Sequence, residues 1–396
     1  MNTIPDDNAM ELQFCRDLYR DFAASLFEGQ AQPDSGTLRK WYAGLLADLA
    51  GFVEAAAATD VRPFVPKIES TGEKGYHPSS LASRYFKLVP NFLKIVAMLS
   101  DRYSYSEHIE LFIEACTTLG FDDPSVIRED NWHPSRFALA NGMNGAEVFN
   151  ALHAMIRRDW SGKGYKTKFQ KRRQECEERT KEYQGFIDAW FAKLATLIVL
   201  RVDLSYKKEH WEKISLDDLC ADFDHLYNNF RCNKIFRGLR GYIAKIEYGL
   251  GKGFHMHVIF LFDTEHKNGI RHVHHAKLIG KYWVKAITKG RGAYWNCNAK
   301  AKEFDAKGIL GIGPIHVSDK AKRDNLLFRV VDYLCKMDQF IRPKGRESKH
   351  LIRHSKWPTP EPKKLGAPRQ ASSNSPVITN MADTTELEEA VDALGY

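Results

Sequence analysis

Residues 241–262 constrain this chain more than any other stretch. They read as two β-strands joined by a turn that carries Gly249, Gly251 and Gly253. The second strand contains His255-Met256-His257. Side chains alternate along a strand, so the two histidines share one face. If Tyr248 pairs with Phe254 around the turn, Glu247 stands opposite His255 on that face. Two imidazoles and one carboxylate then converge on a point. That set makes a three-ligand site for a divalent cation and leaves coordination positions open for a substrate. It suits Mg²⁺ or Mn²⁺ in use, although imidazoles also take Zn²⁺ or Co²⁺.

A His-x-His pair alone is weak evidence in a chain with 15 histidines. The strand pattern and Glu247 give this pair its weight. The cluster His272-Val273-His274-His275 has neither support. It follows Asn268-Gly269 and opens a helix-like stretch, so a solvated helix start is expected there.

A second feature lies downstream. Residues 325–341 have helical periodicity, with Leu327, Val330, Val331, Leu334 and Ile341 on one stripe and Asp338 fitting it poorly. Tyr333 and Lys336 are three residues apart, hence neighbours on a helix face away from the stripe's centre. Tyr-x-x-Lys occurs by chance in a chain this rich in both residues. Its interest comes from its place after the His/Glu hairpin.

Taken together, Glu247, His255-Met256-His257 and Tyr333-Leu334-Cys335-Lys336 resemble the HUH endonuclease pattern of rolling-circle replication initiators. More closely, residues 196–357 resemble the filamentous-phage, or inovirus-type, gene II replication protein family, whose relatives are common in prophages. The hydrophobic run 194–205 stands where that family has its upstream strand. The resemblance implies Glu247, His255 and His257 as ligands of Mg²⁺ or Mn²⁺. It implies Tyr333 as the nucleophile that nicks DNA, leaving a 5′-phosphotyrosine bond and a free 3′-OH, and Lys336 as the group that positions the phosphate or steadies the phenolate. No second tyrosine lies close to Tyr333 in this helix, so a single-tyrosine mechanism is the simpler expectation. The implied partner is single-stranded or supercoiled origin DNA, followed by a host helicase and polymerase, in the cytoplasm of a bacterial host. A relaxase or transposase would share the site. A non-catalytic prophage DNA-binding regulator and a hydrolase of free nucleotides are the other classes to weigh. Intact motifs count against the first, and the nucleophile-like tyrosine against the second.

Charge is consistent with a polyanionic partner: the net charge is +8. Three stretches interleave cations with aromatic or other groups. The first is 157–173, with Trp160, Tyr165 and Phe169. The second holds Lys281, Trp283, Lys285, Lys289, Arg291 and Trp295. The third holds Arg342, Lys344 and Arg346. The second lies between the two catalytic motifs and is the favoured DNA track. Seven scattered cysteines, with no Cys-x-x-Cys pair, argue against a disulfide scaffold and a zinc ribbon. No basic, apolar leader opens the chain, and its apolar runs are too short for a membrane span.

The expected fold class is α+β: a C-terminal antiparallel sheet with flanking helices, preceded by a mostly α-helical N-terminal domain. The expected divisions are a helical domain at 1–155, a basic helical connector at 156–190, the endonuclease-like domain at 191–357, and a disordered tail with an acidic end at 358–396. Helices are expected at Met10–Phe27, Thr37–Ala58, Ser80–Leu99, Glu107–Leu119 and Gly145–Ile156, then at 215–229, 274–288 and 324–341. Strands are expected at 196–204, 241–248, 254–262 and 309–317. The N-terminal half carries no catalytic constellation. Origin recognition, partner docking and regulation all stay open for it.

Overall fold

A computed structural model describes residues 35–68, 74–99, 103–127, 131–136, 139, 142–249, 253–265, 271–336, 341–344 and 351–359. The helix expected at Met10–Phe27 and the tail from residue 360 onward lie outside the described residues. In chain order the main elements begin with α1 (Ser35–Ala58), β1 (Phe64–Ile68), β2 (Lys74–Pro78), α2 (Ser80–Tyr85), α3 (Val89–Ala97), β3 (Tyr103–Tyr105), α4 (Glu107–Leu119), α5 (Gly145–Gly162) and α6 (Tyr165–Phe191). They continue with β4 (Thr196–Tyr206), α7 (Leu216–Asn228), β5 (Leu239–Gly249), β6 (Gly253–Phe262), α8 (His272–Tyr282), β7 (Gly292–Asn296) and β8 (Gly313–His316). The last are α9 (Lys320–Asn325), α10 (Asp332–Lys336), β9 (Ile341–Pro343) and β10 (Ile352–His354). The chain divides into two compact units. One comprises Met1–Arg179, Gly249–Lys252 and Cys335–Ser348; the other comprises Thr180–Tyr248, Gly253–Leu334 and Lys349–Tyr396.

The first unit is helical but not purely so. Phe52 of α1 sits among the rings of Tyr85, Phe92, Phe112 and Phe149, with centroids 5.4 to 6.3 Å away. An antiparallel hairpin, β1–β2, joins this core through Phe64. The buried Asn150 side chain of α5 accepts from the Phe64 N–H at 2.8 Å and donates to the Phe64 carbonyl at 2.9 Å. That pairing satisfies the outward backbone groups of β1 at Phe64, where β1 has no strand partner among the described residues. Strand β3 pairs with β9. Neither β1 nor β2 is expected from the sequence, because Pro66 and Pro78 fall within them and prolines usually break strands. In a two-stranded ribbon each strand has an edge where a proline costs no ladder hydrogen bond.

The basic stretch 157–173 differs from the expected DNA track. Trp160 stacks on the buried His108 at 4.9 Å, and Phe169 meets the same ring at 4.5 Å. The Tyr165 hydroxyl donates to Glu114, and the buried Arg172 donates to Glu107 at 3.1 Å. These aromatics are half-buried and pack against the unit.

The second unit is built on a six-stranded antiparallel sheet, in the order β10-β5-β6-β4-β7, with β8 also paired to β4. Strand β4 is central because it is long, apolar and rich in β-branched residues. One side of it pairs with β6, and the other is shared by β8 and β7. Alternation sends Ile198, Leu200, Val202, Leu204 and Tyr206 into one core. There they meet Met256, Val258 and Phe260 of β6, Leu219 and Phe223 of α7, and Ala276, Leu278 and Ile279 of α8. Helices α7 and α8 therefore cover one face of the sheet. The opposite face carries Arg201, Asp203, Glu247, His255 and His257. Gly280 of α8 is required by close approach, since a Cβ there would lie 2.0 Å from the Tyr294 ring. No helix among the described residues is long and apolar enough to cross a membrane.

The helix expected at 324–341 ends earlier. It runs as α9, a π-helical stretch at Leu326–Val331 and then α10, and Ile341 already lies in β9.

Candidate metal centre

The hairpin β5–β6 places Glu247, His255 and His257 together, with one ligand atom of each within 4.8 Å of the others. Among the described residues it is the one group of three that meets this test. Glu247 Oε2 lies 3.2 Å from His257 Nε2 and 3.9 Å from His255 Nε2. Ligands about 2.1 Å from a common ion stand about 3 Å apart at right angles and somewhat farther at tetrahedral angles. The Glu247–His257 distance matches that spacing and the Glu247–His255 distance is longer, so the donor set could hold one divalent cation with a small inward shift of His255. The other carboxylate oxygen, Glu247 Oε1, is buried and has no hydrogen-bond partner among the described residues.

Both imidazoles are oriented through Nδ1. Gly253 adopts φ +64° at the start of β6, and its carbonyl receives His255 Nδ1–H at 3.1 Å. Asp203 of β4 is paired in register with His257, and its Oδ1 lies 2.7 Å from His257 Nδ1. A proton on Nδ1 leaves the Nε2 lone pair aimed at the ligand cluster, the arrangement that metal-binding histidines use. Arg201 Nη2 is also near His257 Nδ1, at 3.5 Å, but Asp203 is closer and decides the tautomer.

The electrostatics are tightly coupled. Burial works against ionisation of Glu247, yet the charge and hydrogen bond of His257, then His255 and the buried Lys245, hold its carboxyl down to about 2. Burial likewise works against a charged His257, but Asp203 and Glu247 raise it to about 9. Without a cation, the proton on His257 balances the two acids beside it.

Tyr333 of α10 reaches this site. Its ring lies 6.5 Å from the His257 ring, at 77°, and the Arg201 guanidinium carbon is 5.8 Å from the Tyr333 centroid. Arg201 also donates to Asp203 at 3.4 Å. Burial opposes the Arg201 charge, but Asp203 above all, with Cys297, Tyr333 and Glu247, raises its pKa further, so the guanidinium stays charged. Lys336 ends α10, and its side chain lies outside the described residues.

Asp203 and Arg201 were not assigned a role from sequence. The available signal was a pair of opposite charges, two residues apart, inside an otherwise apolar strand.

The proposed DNA track breaks up in the structure. Trp283 is wholly buried (0% exposed), packs in the core and donates its indole N–H to the Ser205 carbonyl at 2.9 Å. It is corrected from a DNA contact to a core residue. Arg291 donates to Asp222 at 3.1 Å and lies over the Tyr206 ring. Lys281 and Lys285 sit on α8 and the π-turn that continues it, whose inner side covers the sheet face opposite the ligands. Lys285 and Lys289 are exposed. Trp295 alone of this group stands on the ligand face, opposite Asp203 in the β4–β7 register. In the third stretch, Lys344 is exposed, the Arg342 side chain lies outside the described residues, and so does Arg346. The second histidine cluster does open a helix, as expected, but His275 is buried, with Nε2 against the Ile235 carbonyl at 2.6 Å.

Fold and site define an α+β protein with a candidate divalent-cation centre on one face of an antiparallel sheet. No protein-family model matches the chain, nor does any curated protein or solved structure.

Proposed function

We propose that this chain is an HUH-type endonuclease that nicks single-stranded origin DNA and rejoins strands, in the manner of a rolling-circle replication initiator. The observation that carries the reading is the placement of Tyr333 against His257, 6.5 Å between rings, beside the His/His/Glu cluster. A lone metal site would suit many hydrolases. A tyrosine on the rim of one, with a fixed guanidinium over its ring, suits attack on a phosphodiester.

A divalent cation bound by Glu247, His255 and His257 would polarise the phosphate and offset the charge that develops on its oxygens. Asp203 and the Gly253 carbonyl hold the two imidazoles in the tautomer that binding needs. Tyr333 Oη forms a bond to phosphorus as the P–O3′ bond breaks. The phenol gives up its proton and the departing O3′ takes one up. The phosphotyrosine keeps the energy of the broken bond, so a strand's 3′-OH can reverse the step and join. Arg201 supplies positive charge beside the reacting tyrosine.

The direct test mixes protein, Mn²⁺ or Mg²⁺ and labelled single-stranded DNA from a candidate origin. A labelled, protease-sensitive adduct that survives SDS and vanishes in Tyr333→Phe or with EDTA is expected. DNA binding without any adduct would instead favour a non-catalytic regulator.

A further inference from the structure

Trp295 lies where no packing argument requires a tryptophan. It is 53% exposed on the edge strand β7, and its side chain makes no ring contact or hydrogen bond among the described residues. Its neighbour Tyr294 faces the other way and packs on Gly280. The registers Asp203↔His257 and Asp203↔Trp295 place Trp295 two strands from His257, about 10 Å across the sheet, on the face that carries the ligands and Arg201. An exposed indole costs solubility unless something covers it. Beside a face that carries Arg201 and could hold a divalent cation, the chemically matched cover is the flat face of an unpaired nucleobase whose phosphate would meet that cation.

We infer that Trp295 is a stacking platform for one base of a single-stranded DNA segment, next to the phosphate bound at the His/His/Glu centre. This deepens the proposed function and rests on it. The subsite is not sequence-reading, because every base offers a π-face. It fixes the strand's path across the sheet: base on Trp295, backbone running past Arg201 toward Tyr333. Paired bases cannot use it, so it selects unpaired DNA over duplex.

The test uses the full chain with a Tyr333→Phe background to prevent turnover. Single-stranded oligonucleotides carrying 5-iodouracil are bound, irradiated and mapped by mass spectrometry, and affinity is measured by fluorescence anisotropy. We expect a cross-link on the peptide holding Trp295. We expect Trp295→Ala to weaken single-stranded DNA binding about tenfold and Trp295→Phe to retain most of it. Since Trp295 is exposed, circular dichroism should be unchanged in both variants. Cross-links elsewhere with none at Trp295, or equal affinity in Trp295→Ala, overturn the subsite. If Tyr333 of the native chain still forms the adduct in that case, the nickase reading stands without it. If the protein binds no single-stranded DNA at all, subsite and nickase reading fall together.

Discussion

Asp203 Oδ1 lies 2.7 Å from His257 Nδ1, across the register of two adjacent strands. A carboxylate behind a metal-binding imidazole fixes its tautomer and raises its basicity, and loss of such a partner commonly costs 10- to 100-fold in metal affinity, on the order of 1 to 3 kcal/mol. Asp203→Ala is expected to fall in that range, and Asp203→Asn near its lower end because the amide oxygen still accepts. Calorimetric titration with Mn²⁺ reads this directly. Native affinity in Asp203→Ala would remove Asp203 from the centre.

The same pair sets a pH dependence. His257 is raised from 6.5 to about 9 in the folded chain, so its charge contributes stability that is full below 6.5 and is lost as pH climbs to about 9. Glu247 is lowered from 4.5 to about 2, so its contribution is full above 4.5 and is lost as pH falls toward 2. In EDTA, their mutual stabilisation is therefore greatest between about 4.5 and 6.5. Metal binding requires an unprotonated His257 Nε2, so cation and proton compete. The rise in melting temperature given by Mn²⁺ should widen from pH 6.5 to 9. A metal-induced rise that is flat across this range would contradict the assignment of His257 as a ligand.

Arg201 is predicted to act on Tyr333 chemistry more than on metal binding. Hydrogen bonds and charge pairing by an ionised group are worth about 1.5 to 3 kcal/mol, or about 10- to 150-fold. Arg201→Gln should slow covalent adduct formation by a factor in that range while Mn²⁺ affinity changes less. Arg201→Lys should recover part of the rate, keeping the charge but not the planar fork. Equal adduct rates in Arg201→Gln and the native chain would sink this assignment.

Trp283 should behave as core. Trp283→Ala removes a fully buried indole and its hydrogen bond to Ser205, with an expected loss of about 3 to 5 kcal/mol in denaturant unfolding. Trp295→Ala, on the exposed edge, should lose less than about 0.5 kcal/mol. Similar losses at the two positions would mean that Trp295 is not solvent-facing.

Much of the site was legible because it is local. The hairpin, its glycines and the period-2 alternation put His255, His257 and Glu247 on one face from 22 consecutive residues, 241–262. Strand β4, α7 and the start of α8 followed from apolar periodicity in the same way. The early end of the helix before Ile341 depends on β3, a strand partner far away in sequence, whereas β1–β2 is local and was obscured by Pro66 and Pro78, which a two-stranded ribbon tolerates on its outer edges.

The sequence by itself determined which side chains share a face, since alternation is a property of the strand alone. Tertiary structure decided which faces meet. It brought Asp203 and Arg201 behind His257, because strand order is not encoded in the pattern of any one strand. It set the direction of Tyr333, because the π-helical stretch at Leu326–Val331 shifts the helical phase that a 3.6-residue period assumes. It also separated two tryptophans of one basic stretch, burying Trp283 and leaving Trp295 beside the ligands. The physical reason is that α8 covers one side of the sheet, while β7 turns its alternate residues to the other.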